Sequence, residues 1–120
     1  MFTGIIQNLG HVISYTNGEL EIATPLDLSD RKTGSSISCN GVCLTVTQIN
    51  FKNDLYAFKV NVGEETQERT NFSNEQFNEL VKINIEKSLK IGDEIAGHFV
   101  YGHVDCTTNV TNIKKLNNSW

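Results

Sequence analysis

Apolar and polar residues alternate along much of this chain with a period of two. That spacing puts successive side chains on opposite faces of a strand. The clearest run is Val42-Cys43-Leu44-Thr45-Val46-Thr47-Gln48-Ile49, which is also rich in β-branched residues. Tyr56-Ala57-Phe58-Lys59-Val60-Asn61-Val62 alternates again, reached through a loop at Asn50 to Asp54. Val81-Lys82-Ile83-Asn84-Ile85-Glu86 is a third clean alternation. Ile5 to Ser14 is branched and apolar, and Asn17-Gly18 marks a hairpin turn before Leu20-Glu21-Ile22-Ala23. Ser36 to Cys39 leads through Asn40-Gly41 into the first run. Two stretches are helical in outline. Asp27 to Arg31 is a short turn with Leu26 or Leu28 packing inward, and Ser73 to Leu80 opens with Ser73 as N-cap and Gln76 three residues on. Many short strands and few helices predict an all-β fold, a small antiparallel barrel or sandwich.

The opening pattern also recurs. Phe2-Thr3-Gly4-Ile5-Ile6 through Val12 lines up with Val100-Tyr101-Gly102-His103-Val104 through Val110. Similarity at domain spacing signals tandem units. The chain therefore reads as a first unit over residues 1–97 and the first strand of a second, truncated unit over residues 98–120.

Composition narrows the class of function. With 120 residues, 38% hydrophobic and one proline, the chain can bury a core of its own. A net charge of −4 argues against nucleic acid as a partner. No apolar run approaches the roughly 20 residues of a membrane span. The first residues lack a signal peptide's basic start and apolar core, and Phe2 stands where myristoylation needs glycine. The expectation is a cytoplasmic protein without a membrane partner. Cys39, Cys43 and Cys106 make an odd count, which favours free thiols. Cys39 and Cys43 are spaced for neither a redox pair nor a zinc knuckle, and read as small core residues on strands.

No metal motif, phosphate loop or serine-hydrolase elbow occurs, but three segments stand out. In Asn40 to Val46 a turn delivers Cys43 and Thr45 to one strand face. Either the pair lines a pocket for a polar heterocycle, or Thr45 is a plain strand residue and Cys43 is core. Glu64 to Asn71 follows Gly63 at a strand end and offers carboxylate, hydroxyl and backbone amides. These suit sugar-alcohol hydroxyls, unless the segment is a solvated loop with Thr66 or Thr70 capping a turn. Ala96 to Asp105 carries His98 and His103, which share neither a strand face nor a helix face, so a joint metal site is not expected. A lone histidine is more often structural than catalytic. Asp105 reaches His103 only through a bend.

Taken together and in this order, these segments resemble riboflavin synthase of the α-chain type. The carrying motifs are Met1-Phe2-Thr3-Gly4-Ile5-Ile6-Gln7, Asn40-Gly41-Val42-Cys43-Leu44-Thr45-Val46, and Glu65-Thr66 with Arg69-Thr70-Asn71. Ile83-Asn84-Ile85-Glu86 and Gly92-Asp93 through Gly97-His98-Phe99-Val100-Tyr101-Gly102-His103-Val104-Asp105 complete them. The resemblance covers essentially the whole chain. It implies a six-stranded antiparallel Greek-key barrel with short helices, the first of two tandem lumazine-binding barrels in full-length, trimeric members.

It also implies a transferase reaction. Two molecules of 6,7-dimethyl-8-ribityllumazine dismutate to riboflavin and 5-amino-6-ribitylamino-2,4(1H,3H)-pyrimidinedione, with no metal or redox cofactor. The family's site lies between the first barrel of one subunit and the second barrel of another, so this chain is expected to pair as a homodimer and to turn over weakly or not at all. Carried over by position, Cys43 and Thr45 line the ring pocket. Gly63, Glu65 and Thr66 meet the ring edge or ribityl chain, and Ser36 is a further polar contact. Phe2 packs near the ligand, and His103 and Val104 complete the pocket, with His103 a candidate for proton handling and Cys43 a second candidate catalytic residue. The chain departs from the family at Cys106, in the length of Ser73 to Leu80, and in the loop Asn50 to Asp54. A second reading is a non-catalytic lumazine or flavin binder of the same fold. Such proteins tend to carry serine at position 43 and asparagine at position 103, where this chain has Cys43 and His103. A flavin-dependent reductase is disfavoured because its Arg-x-Tyr-Ser motif is missing.

Overall fold

The computed structural model describes residues 1–72 and 81–120. The helix expected over Ser73 to Leu80 lies outside the described residues. Among the described residues six strands form: β1 (Asn8–Thr16), β2 (Glu19–Thr24), β3 (Ser36–Cys39), β4 (Val42–Lys52), β5 (Leu55–Asn61) and β6 (Lys82–Lys87). All pairings are antiparallel, and the strands close into a barrel in the order β1-β2-β5-β4-β3-β6. Strands β3, β4 and β5 follow one another as hairpins, and β6 returns to lie beside β3, which is the Greek-key arrangement. The expected barrel is therefore the observed one, and closure leaves no open sheet edge.

The three hairpins turn on residues with positive φ: Asn17 at 52°, Asn40 at 49°, and Asn53 and Asp54 at 53° and 61°. Such turns match the twist of the flanking strands, and Asn and Asp tolerate them better than most residues. The last hairpin corrects the reading of a loop at Asn50 to Asp54. Strand β4 runs on to Lys52, and only Asn53-Asp54 lie between it and β5. Phe51 and Tyr56 pair across that hairpin with ring centroids 4.6 Å apart.

The inward faces of the strands supply the core. Leu20 and Ile22 from β2, Ile37 from β3, Leu44 and Val46 from β4, Phe58 and Val60 from β5, and Ile83 and Ile85 from β6 are all buried. Burying each contributes about 1.5–3 kcal/mol. Leu28 is fully buried beside the 28–31 turn, and Leu26 also packs on the core. Register shifts between Val12 and Ser14 and between Val46 and Gln48 mark bulges. The second leaves Thr47 and Gln48 both outside before Ile49 turns back inward.

Glu64–Arg69 forms a helix, α1, where the sequence suggested a turn or solvated loop. Glu64 and Glu65 sit in its first turn and Arg69 in its last, each complementing the helix dipole. Glu65 and Arg69 pair at 3.0 Å one turn apart. No helix among the described residues is long and apolar enough to cross a membrane. Outside the barrel, Phe2 forms an isolated bridge with Val100, and residues 101–120 adopt neither strand nor helix.

Candidate functional site

Strand β4 points Val42, Leu44 and Val46 into the barrel, so Cys43 and Thr45 face outward. Residues 100–105 cross the barrel wall at Cys43. The Cys43 amide donates to the Gly102 carbonyl at 2.8 Å. This approach requires glycine. Its φ is +76°, and a Cβ there would stand 2.9 Å from the Cys43 Cβ, 3.0 Å from its nitrogen and 3.1 Å from the Gly41 carbonyl oxygen. His103, Val104 and Asp105 follow directly.

Helix α1 approaches from the other side. The Arg69 guanidinium donates to the Asp105 carbonyl at 3.2 Å and ties the helix to the crossing segment. The Thr70 hydroxyl donates to the Thr66 carbonyl at 2.6 Å and accepts from the Phe72 amide at 3.1 Å, closing the helix end. Between β4, α1 and residues 102–105 lies an open hollow of about 440 Å3. It is bounded by Cys43, Glu65, Thr66, Arg69, His103 and Val104, among others. That size falls within the usual range for small-molecule sites.

The residues anticipated from sequence divide here. Cys43, Glu65, Thr66, His103 and Val104 come together around the hollow. Thr45 and Ser36 pair in the next row of the barrel wall, with Thr45 exposed and Ser36 half-buried. Phe2 is buried and holds Val100 by backbone. Gly63 is the N-cap of α1 and borders a separate hollow with Asn17 and Gly18. None of these four lines the hollow at Cys43. Arg69, Thr70 and Gly102 do, and no contact with a ligand had been assigned to them. The Glu65–Arg69 spacing of four carries a helical signal, but a six-residue helix is too short for its period to stand out.

The three cysteines are free and differ in setting. Burial pushes the Cys39 thiol far up, with Cys43 nearby adding to the shift. Cys43 is half-buried and Cys106 exposed. Among the described residues no group of three or more His, Cys, Asp and Glu could hold a metal ion. A second hollow, bordered by Thr3, Arg31 and Glu86, contains none of the anticipated site residues. It surrounds a charge cluster in which Lys90, Lys87 and Arg31 lie 2.6, 3.3 and 3.7 Å from Asp30. Its hydrogen bond with Lys90 is the largest influence holding the Asp30 carboxyl down at about 2.

Residues 3–88 match the lumazine binding domain. The chain belongs to that family. The chain is 44% identical over 110 residues to the riboflavin synthase of Brucella abortus, covering 88% of this chain and 54% of the relative. It is 39% identical to that of Buchnera aphidicola, covering 97% and 54%, and 36% identical to that of Bacillus subtilis, covering 99% and 54%. The chain thus spans about half the length of these relatives. Its fold is shared with LumP complexed with 6,7-dimethyl-8-(1'-D-ribityl) lumazine, at a TM-score of 0.66 and 22% identity over 98% of this chain and 64% of that one. LumP complexed with riboflavin gives the same TM-score at 23% identity, over 98% of this chain and 62% of that one.

Proposed function

We propose that the hollow at Cys43 binds 6,7-dimethyl-8-ribityllumazine, and that this chain is the ligand-holding half of a cytoplasmic riboflavin synthase. The observation that carries this reading is convergence. Three segments far apart in sequence, β4, α1 and residues 102–105, bring Cys43, Glu65, Thr66, His103 and Val104 around one hollow. Residues 1–97 are the first lumazine-binding unit, and residues 98–120 begin the second.

The chemistry follows from what each group can do. Val42, Val104 and the polarisable Cys43 thiol make an apolar wall for the heterocycle. Glu65 and Thr66 offer acceptors and a donor to the ribityl hydroxyls. Thr45 and Ser36 extend the site along the barrel wall, while Phe2 and Gly63 act from behind, on the crossing segment and on the start of α1. His103 exchanges the proton of an acidic ring methyl. The dismutation moves a four-carbon unit from one lumazine to another, giving riboflavin and the ribitylamino-pyrimidinedione. Bringing two identical heterocycles together is chiefly a matter of orientation. One barrel holds one of them, so a second must come from another barrel. In this chain alone a homodimer supplies it, with turnover weak or absent.

The test is titration of the purified chain with 6,7-dimethyl-8-ribityllumazine, with sedimentation and riboflavin fluorescence followed on the same sample. Saturable binding with slow or no riboflavin formation is expected. Lack of binding overturns the reading. Full turnover by a monomer overturns the half-site account while keeping the ligand.

A further inference from the structure

In the motif Ile83-Asn84-Ile85-Glu86, the two isoleucines fill the core, but Glu86 points out of the barrel and is still only 3% exposed. Glu86 pairs in register with Ser38, and Ser38 with Cys43, so the three form one row across β6, β3 and β4. A carboxylate hidden this well must be compensated by donors. They come from the N-terminal segment. The Thr3 amide and hydroxyl donate to one Glu86 oxygen at 2.6 and 2.8 Å, and the Gly4 amide donates to the other at 3.1 Å. Hydrogen bonds to an ionised acceptor are the strong ones.

The pinned segment in turn holds the chain that enters the site. The Phe2 amide donates to the Val100 carbonyl at 2.7 Å, and the Val100 amide donates back to the Phe2 carbonyl at 3.0 Å. The His98 amide donates to the Thr3 carbonyl at 3.0 Å. Two residues beyond Val100, the Gly102 carbonyl takes the Cys43 amide. Residues 98–102 are therefore clasped between the N-terminal segment and β4, and His103 is the next residue along.

We infer that Glu86 is a positioning residue for the ligand site: it anchors residues 3 and 4, through them residues 98–100, and so fixes where His103 and Val104 stand at the hollow. The inference rests on the proposed lumazine site for its functional meaning. Its structural half stands independently. Glu86 lines a different hollow and does not itself border the one at Cys43.

The variants are Glu86→Gln and the milder Thr3→Val, which removes the hydroxyl donor and leaves both amides. Glutamine keeps one acceptor oxygen and turns an NH2 group toward a backbone donor. Hydrogen exchange is read at Thr3, Gly4, His98, Val100 and His103, with the β4–β5 hairpin as internal reference, alongside titration with 6,7-dimethyl-8-ribityllumazine. In Glu86→Gln, protection falls together at residues 3, 4, 98 and 100 while the hairpin stays protected. Affinity drops by roughly tenfold, as it does when only a tenth of the molecules hold a competent site. Thr3→Val gives a smaller change of the same pattern, and it carries the test if Glu86→Gln does not fold. Release of residues 3 and 4 with protection kept at 98 and 100, or with affinity within twofold of the parent, overturns the inference. If the parent binds no lumazine, the functional reading falls, and the exchange pattern alone still decides the coupling.

Discussion

Gly102→Ala is the sharpest perturbation the site offers. The added Cβ meets Cys43 Cβ at 2.9 Å, Cys43 N at 3.0 Å and Gly41 O at 3.1 Å. Two of these atoms are backbone and the third is a Cβ, so no flexible side-chain end can move aside. The φ of +76° adds strain, since a left-handed conformation costs an L-residue roughly 1–2 kcal/mol. Overpacking adds about 1–3 kcal/mol. The total, about 2–5 kcal/mol, exceeds the roughly 1.4 kcal/mol that makes a tenfold change in an equilibrium. The strain is relieved by undocking residues 100–105 from β4, which breaks the hydrogen bond from Cys43 to Gly102 and displaces His103. Affinity for 6,7-dimethyl-8-ribityllumazine, read by fluorescence titration, should fall at least ~10-fold, the part of the strain not absorbed by the docked state. Gly102 lies outside all six strands, so the barrel's thermal midpoint should move by less than ~4 °C. Gly34→Ala is the control. It has a φ of +89° but nothing within 4 Å of its Cβ, so it carries the conformational strain without the collision. Its binding should match the parent. Parental affinity in Gly102→Ala would refute the argument that this close approach builds the site.

Other consequences are equally direct. Phe58→Ala removes a fully buried ring from the barrel core and should cost about 3–5 kcal/mol, read from the urea unfolding midpoint. Asp30 has a folded-state pKa of about 2 against an ordinary 3.8, set first by Lys90, so its contribution is present above the ordinary value and lost as pH falls through about 2. Asp30→Asn should remove that part of the acid dependence between pH 4 and 2, and an unchanged acid-unfolding profile would count against the Asp30 cluster. Thiol labelling followed by mass spectrometry should find Cys106 fastest, Cys43 slower and Cys39 reactive only on unfolding. Bound lumazine should slow Cys43 and leave Cys106 unchanged, and labelling of Cys39 at the rate of Cys106 would contradict the packing.

Much of the barrel is legible in the chain because strand periodicity is local. Val42 to Val46, Phe58 to Val60 and Ile83 to Ile85 announce their inward faces by alternation alone. Closure and strand order depend on contacts between distant segments, and only the resemblance to a known family supplied them in advance. The β4–β5 hairpin was hidden because Asn53-Asp54 makes its turn without glycine, the strongest short-range hairpin signal. Helix α1 was hidden by its six residues, less than two turns. At the site, Cys43, Glu65, Thr66, His103 and Val104 could be named from motifs. That Arg69 reaches the Asp105 carbonyl, or that Glu86 holds Thr3 and Gly4, is a tertiary fact that no spacing encodes. Gly102 carried a signal in the repeated pattern of the chain's opening, but its reason, contact with Cys43, needed the fold.

On the proposed function, the hollow between β4, α1 and residues 102–105 holds the lumazine ring. A crystal structure of the chain grown with 6,7-dimethyl-8-ribityllumazine tests it most directly. The heterocycle should lie against Cys43 and Val104, with its ribityl chain toward Glu65 and Thr66 and His103 within hydrogen-bond reach of the ring or its methyl groups. A ligand seated elsewhere, with this hollow filled only by solvent, would contradict it.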